Sequence, residues 1–446
     1  MKNAISIAAK NVKKGGVKAI CASSFGEGFI AVDKNGEPLN NPILYIDPRG
    51  EEYLSRFTDH FGSDMHKISG TSPQKIYSLP KLMWIKEHRP DIYDKIDKFM
   101  FVGDYVLYML GAKPFATYSL SARSMAFDVV NKQWSREIID CAGINPAYFP
   151  EPVASGTILG KISAEIASEL DLSDDILLVA GGHDQPCAAL GAGVNKEGLA
   201  VDGLGTVECI TPAFGSPIIT PGMVENHFVL VPHVLENMYV TYAFNMTSGS
   251  VVRWYRDTFG LAEKAYAESK GINAYDYIMD SATEQPSGMF LMPHFSGSAT
   301  PYMDSESKGV MIGLTLETTK EKFVKAILEG ITYEIMVNTE ILKREGIKVD
   351  RLKAVGGLAK SDKYMQLKSS MMNAVIETLN VAEAGTAGVA ILAGVACGIY
   401  KDVQDGIDRI VKVKKVYEPE PDVRDYYQEQ FIKYKRIYRA MKEILL

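Results

Sequence analysis

A pair of glycines followed by polar residues interrupts an apolar stretch near the middle of the chain. Gly181-Gly182-His183-Asp184-Gln185 comes directly after the apolar run Ile176–Ala180 and before a stretch of small residues. A strand, a glycine turn and a helix in this order place polar side chains at the carboxyl edge of a sheet. A carboxylate there can take the proton of a substrate hydroxyl, so Asp184 is a candidate general base. The competing interpretation is that Asp184 caps the following helix, a position that aspartate favours. For His183 we expect a structural role.

Two further glycine turns could hold phosphate groups. Gly203-Leu204-Gly205-Thr206 lies inside the alternating segment Leu199–Phe214, which predicts a hairpin. Its turn would offer backbone N–H groups and a hydroxyl. Gly356-Gly357 ends the predicted strand Arg351–Val355 and precedes a predicted helix that runs through Met372, so a nucleotide could approach a helix N-terminus there. Either pattern is also that of an ordinary turn, and Gly356-Gly357 belongs neither to a Gly-x-Gly-x-x-Gly fingerprint nor to a Walker A sequence.

Charged residues of both signs follow the first apolar runs. Glu27 comes shortly after Val17–Ser23, and Asp47 and Arg49 come at the end of Ile43–Asp47. Together they would give a polar site that suits a ligand rich in hydroxyl groups. The competing interpretation is that all three are charges on surface loops.

The elements that must position these residues have local signals of their own. The C-terminal helix is predicted to start from Asp422 as its N-cap, and its aromatic and apolar stripe at three- and four-residue steps predicts core packing. A small-residue helix gives way to a hairpin near Gly193–Gly198, which predicts a domain boundary. The other predicted elements are paired strands around the turn Asp33–Gly36 that end at Ile43–Asp47, mostly helical structure over residues 50–150, a strand at Met238–Phe244 and long or small-residue helices at Thr319–Lys343 and Thr386–Tyr400.

Length and composition limit the function classes. The chain has 446 residues with 48 basic and 55 acidic side chains, a net charge of −7 and a pI near 5.7. This balance argues against nucleic acid as a partner, because phosphate binding needs a basic surface. No apolar run approaches the roughly 18 residues of a membrane span, and the start lacks the apolar segment of a signal peptide. The five cysteines lie far apart in sequence, which is typical of free thiols in the cytoplasm and does not favour a zinc site.

The order of these patterns along the chain resembles the FGGY family of carbohydrate kinases, and the likeness covers nearly the whole sequence. Gly181–Gln185 is similar to the family's Gly-Gly-x-Asp segment, Gly205-Thr206 to its second phosphate segment and Ala354–Met372 to its adenosine segment. Each match is weak alone, but the ordered set is specific. The remaining matches are Gly309–Thr315 with Ala326–Ile331, which resemble the C-terminal signature, and Ala384–Ala390, which resembles a late glycine- and alanine-rich helix.

The resemblance implies an α/β, actin-like fold of two ribonuclease-H-type domains with a deep cleft between them. Residues 1–195 would form the domain that binds sugar and carries the base, and residues 196–446 the domain that binds nucleotide. Asp184 would be the catalytic base and would also touch Mg²⁺ through water, with ATP and Mg²⁺ as cofactors. The residues expected to bind sugar are Glu27, Asp47, Arg49 and Gln185. The residues expected to bind nucleotide are Gly205, Thr206, Gly309, Gly356, Gly357 and Asp362.

Two departures from the family pattern affect these expectations. Family members begin with a strand that carries Asp-x-Gly-Thr-Thr/Ser and with a hairpin that touches the phosphates of Mg²⁺-ATP. This chain starts inside what resembles the following helix, so a unit of roughly 50–60 residues would be absent. We therefore expect the 446-residue chain to be at best weakly active. Members similar to xylulokinase also carry Met-His where this chain has Gly26-Glu27, so we expect the sugar to be bound differently.

The function that follows is the ATP-dependent phosphorylation of a terminal hydroxyl of a ketopentose, a ketohexose or a related polyol, such as a xylulose-, ribulose- or fuculose-like ketose. Two alternatives stay open: a catalytically weak, sugar-binding remnant of such a kinase, and an actin-like ATPase that acts on a protein partner. The expected partners are the sugar or polyol, ATP and a second copy of the chain in a homodimer, with neither nucleic acid nor membrane.

Overall fold

The computed structural model describes residues 1–13 and 15–445. In the amino-terminal part, helices and strands alternate in short elements. The helices are α1 Lys2–Lys10, α2 Leu54–Phe61, α3 Asp64–Ser69, α4 Ser78–His88, α5 Pro90–Tyr93, α6 Val102–Tyr108, α7 Tyr118–Ser121, α8 Arg136–Ala142, α9 Ala164–Glu169 and α10 Asp184–Gly191. The strands are β1 Ala19–Ser24, β2 Phe29–Val32, β3 Lys98–Phe101, β4 Phe115–Thr117, β5 Phe127–Asp128, β6 Gln133–Trp134, β7 Glu151–Val153, β8 Ile158–Lys161 and β9 Leu177–His183.

The carboxy-terminal part contains longer strands and helices. Its helices are α11 Pro221–Glu225, α12 Gly249–Thr258, α13 Leu261–Lys270, α14 Ala274–Ser281, α15 Lys320–Arg344, α16 Asp362–Met372, α17 Ala384–Ala396, α18 Val403–Ile410, α19 Pro421–Tyr434 and α20 Ile437–Leu445. Its strands are β10 Gly198–Leu204, β11 Glu208–Phe214, β12 Val231–Pro232, β13 Tyr239–Val240, β14 Ala243–Asn245, β15 Phe290–Met292, β16 Val310–Ile312, β17 Val349–Gly356, β18 Val375–Leu379 and β19 Val413–Tyr417. Four 3₁₀ turns complete the described elements, at Glu51–Tyr53, Ala122–Ser124, Pro146–Tyr148 and Leu358–Lys360.

The first sheet brings two chemically interesting loops to one edge. Its order is β1-β9-β8, with β1 and β9 parallel and β8 and β9 antiparallel. The register pairs Ser23 with Gly182 and Ser24 with His183. Because parallel strands end at the same edge, the segment after β1 and the segment after β9 meet there. Glu27 and Asp184 therefore come from different parts of the sequence to one place.

The second sheet is larger and carries the predicted hairpin. Its order is β12-β13-β11-β10-β17-β18-β19, and β14 also pairs with β11. β10 and β11 are antiparallel, while β10 runs parallel to β17, so that Leu204 pairs with Gly356. The two predicted phosphate turns therefore lie side by side at the ends of neighbouring strands. The largest apolar core of the described residues packs on this sheet and includes α15.

Helices α10 and α17 join the two parts of the molecule through close backbone contact. A Cβ atom built on Gly191 would lie 1.8 Å from the carbonyl oxygen of Ala384, and one on Gly388 would lie 1.9 Å from that of Cys187. No side chain larger than hydrogen fits at either position. The small residues that the sequence places in both helices thus permit this crossing.

The structure confirms most predicted elements and corrects others. The hairpin, the long helix α15 and the strand that ends at Gly356 are present. Met238–Phe244 is not one strand, because β13 and β14 are separate and both pair with β11. Ile43–Asp47 contributes only an isolated bridge to Phe29. The N-cap of α19 is Glu420 rather than Asp422, which lies in the first turn after Pro421.

The aromatic stripe of the C-terminal helix packs into the core as predicted, with Tyr427, Phe431 and Tyr434 all buried. A break after Tyr434 divides the predicted single helix into α19 and α20. In the described part of the chain, no helix offers a membrane-spanning length of apolar side chains.

Candidate active site

Asp184 lies where β9 ends and α10 begins. His183 is the last residue of β9 and the N-cap of α10, and Asp184 is the first residue of the helix. The peptide dipoles at a helix N-terminus stabilise an anion at this position. The Asp184 side chain is 44% exposed, so a substrate can reach it. The interpretation of Asp184 as the helix cap does not hold, because His183 occupies the cap position.

The protonation of Asp184 depends on its charged neighbours. Burial and the carboxylate of Glu27 raise the pKa of Asp184 to about 6, while N–H groups of Gln185 and the guanidinium of Arg123 act in the opposite direction. A carboxyl with a pKa near the working pH is well suited to general-base catalysis. Gln185, expected to bind sugar, thus contacts the carboxylate of Asp184.

His183 connects Asp184 to the carboxy-terminal part of the chain. Its Nε2 atom lies 3.1 Å from Oδ1 of Asp184, and its Nδ1 atom lies 2.9 Å from the hydroxyl of Tyr242. Burial, together with Arg123, lowers the pKa of His183 well below its usual value, so the ring is neutral. With Tyr242 donating to Nδ1, the proton of the neutral ring is on Nε2 and faces Asp184.

A buried ion pair borders this group. The guanidinium of Arg123 donates to Oε1 of Glu27 from Nε at 2.7 Å, and both side chains are 9% exposed. The same guanidinium lies over the rings of Tyr77 and Tyr242, with its central carbon 5.1 and 5.6 Å from their centroids. Burial opposes the charge of Arg123, but Glu27, Tyr77 and Tyr242 together outweigh it and raise the pKa of the guanidinium. Arg123 therefore stays charged beside the candidate base.

Gly26 makes the close packing of this group possible. A Cβ atom on Gly26 would lie 2.7 Å from Cγ of Arg123 and 3.1 Å from Cδ2 of His183. The next residue, Glu27, has a φ of 60°, which is uncommon for a residue other than glycine and typical of functional sites. Ser78 holds that backbone by donating its hydroxyl to the Glu27 carbonyl at 2.6 Å.

Asp47 and Arg49 form a second polar group next to the first. Nε of Arg49 donates to Oδ1 of Asp47 at 2.8 Å, and the guanidinium lies 4.6 Å from the centroid of the Trp84 ring. These three residues line a cavity of about 300 Å³. Lys81 is charge-coupled both to Glu27 and to Asp47, and burial lowers its pKa to about 8. The structure therefore places Glu27, Asp47 and Arg49 in two adjoining groups rather than in one pocket.

The two predicted phosphate turns line one cavity of about 260 Å³. Gly205 and Thr206 form one wall, and Gly357 and Lys360 form another. A Cβ atom on Gly357 would meet nothing within 4 Å, whereas one on Gly356 would lie 2.5 Å from the carbonyl oxygen of Leu204. Gly356 is thus required for strand packing, and Gly357 leaves space on the cavity side. The other residues that line this cavity are Leu204, Gly249, Ser250, Arg253, Asn273, Tyr275, Asp276, Met279 and Leu358.

Besides Gly356, two further expected nucleotide residues lie outside this lining. A Cβ atom on Gly309 would lie 2.6 Å from the ring of Phe295, so Gly309 allows that aromatic side chain to pack. The carboxylate of Asp362 accepts a hydrogen bond from Tyr417 and pairs with Lys415 at 2.8 Å. Neither residue lines the 260 Å³ cavity. A role for them in nucleotide binding stays a prediction.

Sequence reasoning did not identify Arg123, Lys81 or Tyr242 as site residues. Lys81 had a weak signal, since it is a lone lysine in the apolar segment Ser78–Ile85. Arg123 and Tyr242 had none, because their partners are distant in sequence. Within the described residues, no cluster of three or more His, Cys, Asp or Glu side chains could hold a metal ion.

Comparisons with known proteins identify the family to which the chain belongs. Residues 1–191 match the N-terminal domain of the FGGY family of carbohydrate kinases, and residues 205–397 match its C-terminal domain. A xylulose kinase of Staphylococcus epidermidis is 29% identical over 428 residues, which cover 96% of this chain and 84% of that protein. An autoinducer-2 kinase of Salmonella typhimurium is 26% identical over 438 residues, which cover 96% and 82%.

A solved structure of ligand-bound xylulose kinase from Lactobacillus acidophilus superposes with a TM-score of 0.87 at 21% identity, covering 99% of this chain and 88% of that one. The fold is the two-domain kinase fold that the sequence predicted. The chain belongs to the FGGY family of carbohydrate kinases. It is therefore a sugar kinase, and ATP is the phosphoryl donor of its family. The domain boundary predicted near Gly193–Gly198 falls between the two matched ranges and stays a prediction.

Proposed function

We propose that this kinase transfers the γ-phosphoryl group of ATP to a terminal hydroxyl of a small ketose or related polyol, with Asp184 as the general base. The observation that carries the proposal is the placement of Asp184. Its carboxylate is accessible at a helix N-terminus, its pKa is raised to about 6, and a neutral histidine lies 3.1 Å away.

The reaction needs one proton transfer and one phosphoryl transfer. Asp184 accepts the proton of the substrate hydroxyl as the oxygen attacks the γ-phosphorus, and the bond from that phosphorus to the bridging oxygen of ADP breaks. Nε2 of His183 lies 3.1 Å from the Asp184 carboxylate, close enough to influence its orientation. Catalysis of this kind depends on alignment and on charge stabilisation more than on covalent steps.

The residues around the 260 Å³ cavity fit a nucleotide. Gly357 leaves its wall open to a ligand, the Gly205-Thr206 turn offers backbone and hydroxyl groups, and Arg253 and Lys360 supply positive charge at the surface. Mg²⁺, when bound, supplies further neutralisation of the phosphate charge. Asp184 is the residue expected to reach the ion through water.

The sugar would bind against the polar groups on the amino-terminal side. Charges of both signs, contributed by Glu27, Arg123, Asp47 and Arg49, supply donors and acceptors for several hydroxyl groups. Trp84, which lies under the Arg49 guanidinium, adds apolar surface to the lining of the cavity of about 300 Å³. A homodimer and the choice among ketopentoses and ketohexoses stay predictions.

A screen of ATP consumption over ketoses and polyols tests the proposal, with ³¹P NMR to locate the phosphate on the product. Asp184→Asn is compared with Asp140→Asn, an exposed carboxylate on α8 that pairs with Arg136 at 2.8 Å. We expect sugar-dependent ADP formation that falls about 10²–10⁴-fold in Asp184→Asn only. ATP hydrolysis that ignores sugar would instead indicate an ATPase, and sugar binding without ADP formation would indicate a non-catalytic remnant.

A further inference from the structure

A lysine and two carboxylates are completely buried beneath the nucleotide cavity. Lys368, Asp202 and Glu208 have side chains with no exposed surface. The ammonium of Lys368 lies 2.5 Å from Oδ2 of Asp202 and also donates to Oε1 of Glu208. Burying three ionisable groups away from water costs free energy unless their charges pair with one another. Nothing in the proposed phosphoryl transfer uses them directly.

The cluster connects the two walls of the cavity. Asp202 is on β10 and Glu208 on β11, so they flank the Gly205-Thr206 turn on both strands of the hairpin. Lys368 is on α16, the helix that follows the Leu358–Lys360 turn of the opposite wall.

A second chain of contacts extends from Glu208 to the turn itself. Its Oε2 atom accepts a hydrogen bond from the hydroxyl of Ser248 at 3.2 Å. The backbone N–H groups of Ser248 and Ser250 both donate to the Thr206 carbonyl at 3.1 Å. The N–H of Gly249 donates to the Gly205 carbonyl at 3.1 Å. The cluster therefore fixes the backbone that would face the phosphates.

The electrostatics of the cluster agree with a fixed arrangement. Burial raises the pKa of Glu208 to about 7 and raises that of Asp202 as well, while Lys368 opposes both changes. Burial opposes the charge of Lys368, but the two carboxyls outweigh it and raise its pKa. Tyr364, on the same helix, is the other titratable group coupled to the ammonium. Lys368 thus stays charged while it holds both strands.

We propose that Lys368, with Asp202 and Glu208, is a positioning unit that sets nucleotide affinity by holding the Gly205-Thr206 turn against the α16 wall. This inference rests on the proposed function, in which that cavity binds ATP. None of the three residues touches the nucleotide. Their effect acts through the turn and is separate from the sugar site.

The test separates positioning from stability. Lys368→Met alone leaves two buried carboxyls without their charged partner and should lower the melting temperature. The triple variant Asp202→Leu, Glu208→Met, Lys368→Met removes all charge at similar volume, a change that often leaves stability unaffected or improved. A unit needed only for stability would regain nucleotide affinity in the triple variant. A positioning unit would not.

Binding of ATP and of the best sugar is measured by calorimetry for the wild type and the variants. We expect the triple variant to fold, to bind ATP about tenfold more weakly, and to bind sugar within about twofold of the wild type. Tyr434→Phe is the matched control, because it removes a buried hydrogen bond of 2.6 Å to Glu334 in the same domain and should leave the ATP Kd unchanged.

Equal ATP affinity in the wild type and the triple variant would overturn the positioning role and leave the proposed function intact. Absence of ATP binding in the wild type would overturn both. If the triple variant does not fold, Glu208→Gln replaces it, because this change keeps the shape of the side chain and removes its charge. Its ATP affinity is then compared with that of the wild type.

Discussion

The Arg123–Glu27 pair should control the pH at which the kinase becomes active. Asp184 must be ionised to accept a proton, and its pKa is about 6. The rate constant kcat/KM for sugar should therefore fall about tenfold per pH unit below that value. Glu27 raises the pKa of Asp184, and Arg123 lowers it. Glu27→Gln should move the acidic limb to lower pH, and Arg123→Met should move it to higher pH.

Coulomb's law sets the scale of the expected shift. A unit charge about 10 Å away contributes roughly 1.7 kcal/mol at an effective dielectric constant of about 20, which is about 1.2 pKa units. Each single variant should thus move the limb by up to about one pH unit. The double variant removes both charges together and should return close to the wild type, slightly to lower pH because Glu27 has the larger effect of the two.

The melting temperatures of the same variants test the Arg123–Glu27 pair independently of the pH profile. Both side chains are only 9% exposed, so Arg123→Met leaves Glu27 buried without its partner. Breaking a buried ion pair costs about 3–5 kcal/mol, which lowers the melting temperature of a domain of this size by roughly 6–20 °C. The double variant should recover part of that loss.

The assay is a pH series of kcat/KM from about pH 5 to pH 9, with each variant normalised to its own plateau so that altered sugar affinity does not affect the position of the limb. Sugar binding at pH 8 and a thermal melt accompany each series. If the two single variants move the limb in the same direction, or if neither moves it, the limb does not belong to Asp184 and the assignment of the base is wrong.

Three further outcomes are expected. Asp184→Asn should keep its fold and melt no lower than the wild type at pH 8. The reason is that the pKa of Asp184 is raised in the folded chain, so its ionisation favours the unfolded chain as pH rises through about 6. A marked drop in melting temperature would contradict this. Tyr242→Phe removes the hydrogen bond that fixes His183, so kcat should fall about 2–10-fold with the ATP KM unchanged, and an unchanged kcat would count against the orienting role. Gly26→Ala should displace Arg123 and His183, whose atoms lie 2.7 and 3.1 Å from the added Cβ, and raise the sugar KM while ATP binding stays constant in calorimetry.

The parts of the fold that sequence predicted are those with local causes. The β10–β11 hairpin follows from alternation and a glycine turn, and α15 follows from apolar residues at spacing four. The end of β17 at Gly356 follows from the glycine pair Gly356-Gly357 in the sequence, although the packing reason, a Cβ atom that would lie 2.5 Å from the Leu204 carbonyl oxygen, appears only in the structure. Errors occurred where tertiary pairing decides the outcome. Met238–Phe244 has strand composition throughout, but its two halves pair separately with β11.

The site was predictable in its backbone and not in its ion pairs. Asp184 and the Gly205-Thr206 turn have recognisable sequence contexts, because a strand end or a tight turn needs particular residues. The partner of Glu27 lies 96 residues away, and the partners of Lys368 lie 166 and 160 residues away. Nothing in the helix pattern around Lys368 distinguishes it from a surface lysine. Only the packing of α16 on the hairpin shows that its charge is buried.

The contacts of helix α10 bear on how the two domains could influence the base. Its first residue is Asp184, and its last, Gly191, touches the backbone of α17 at Ala384. Tyr242, from the carboxy-terminal part, reaches His183 at the start of the same helix. The helix that carries the base is therefore held at both ends by the domain that would bind ATP. A rotation of one domain against the other that separated Tyr242 from His183 would free the imidazole and with it the carboxylate that it faces. The orientation of the base therefore depends on contacts made by the carboxy-terminal part of the chain.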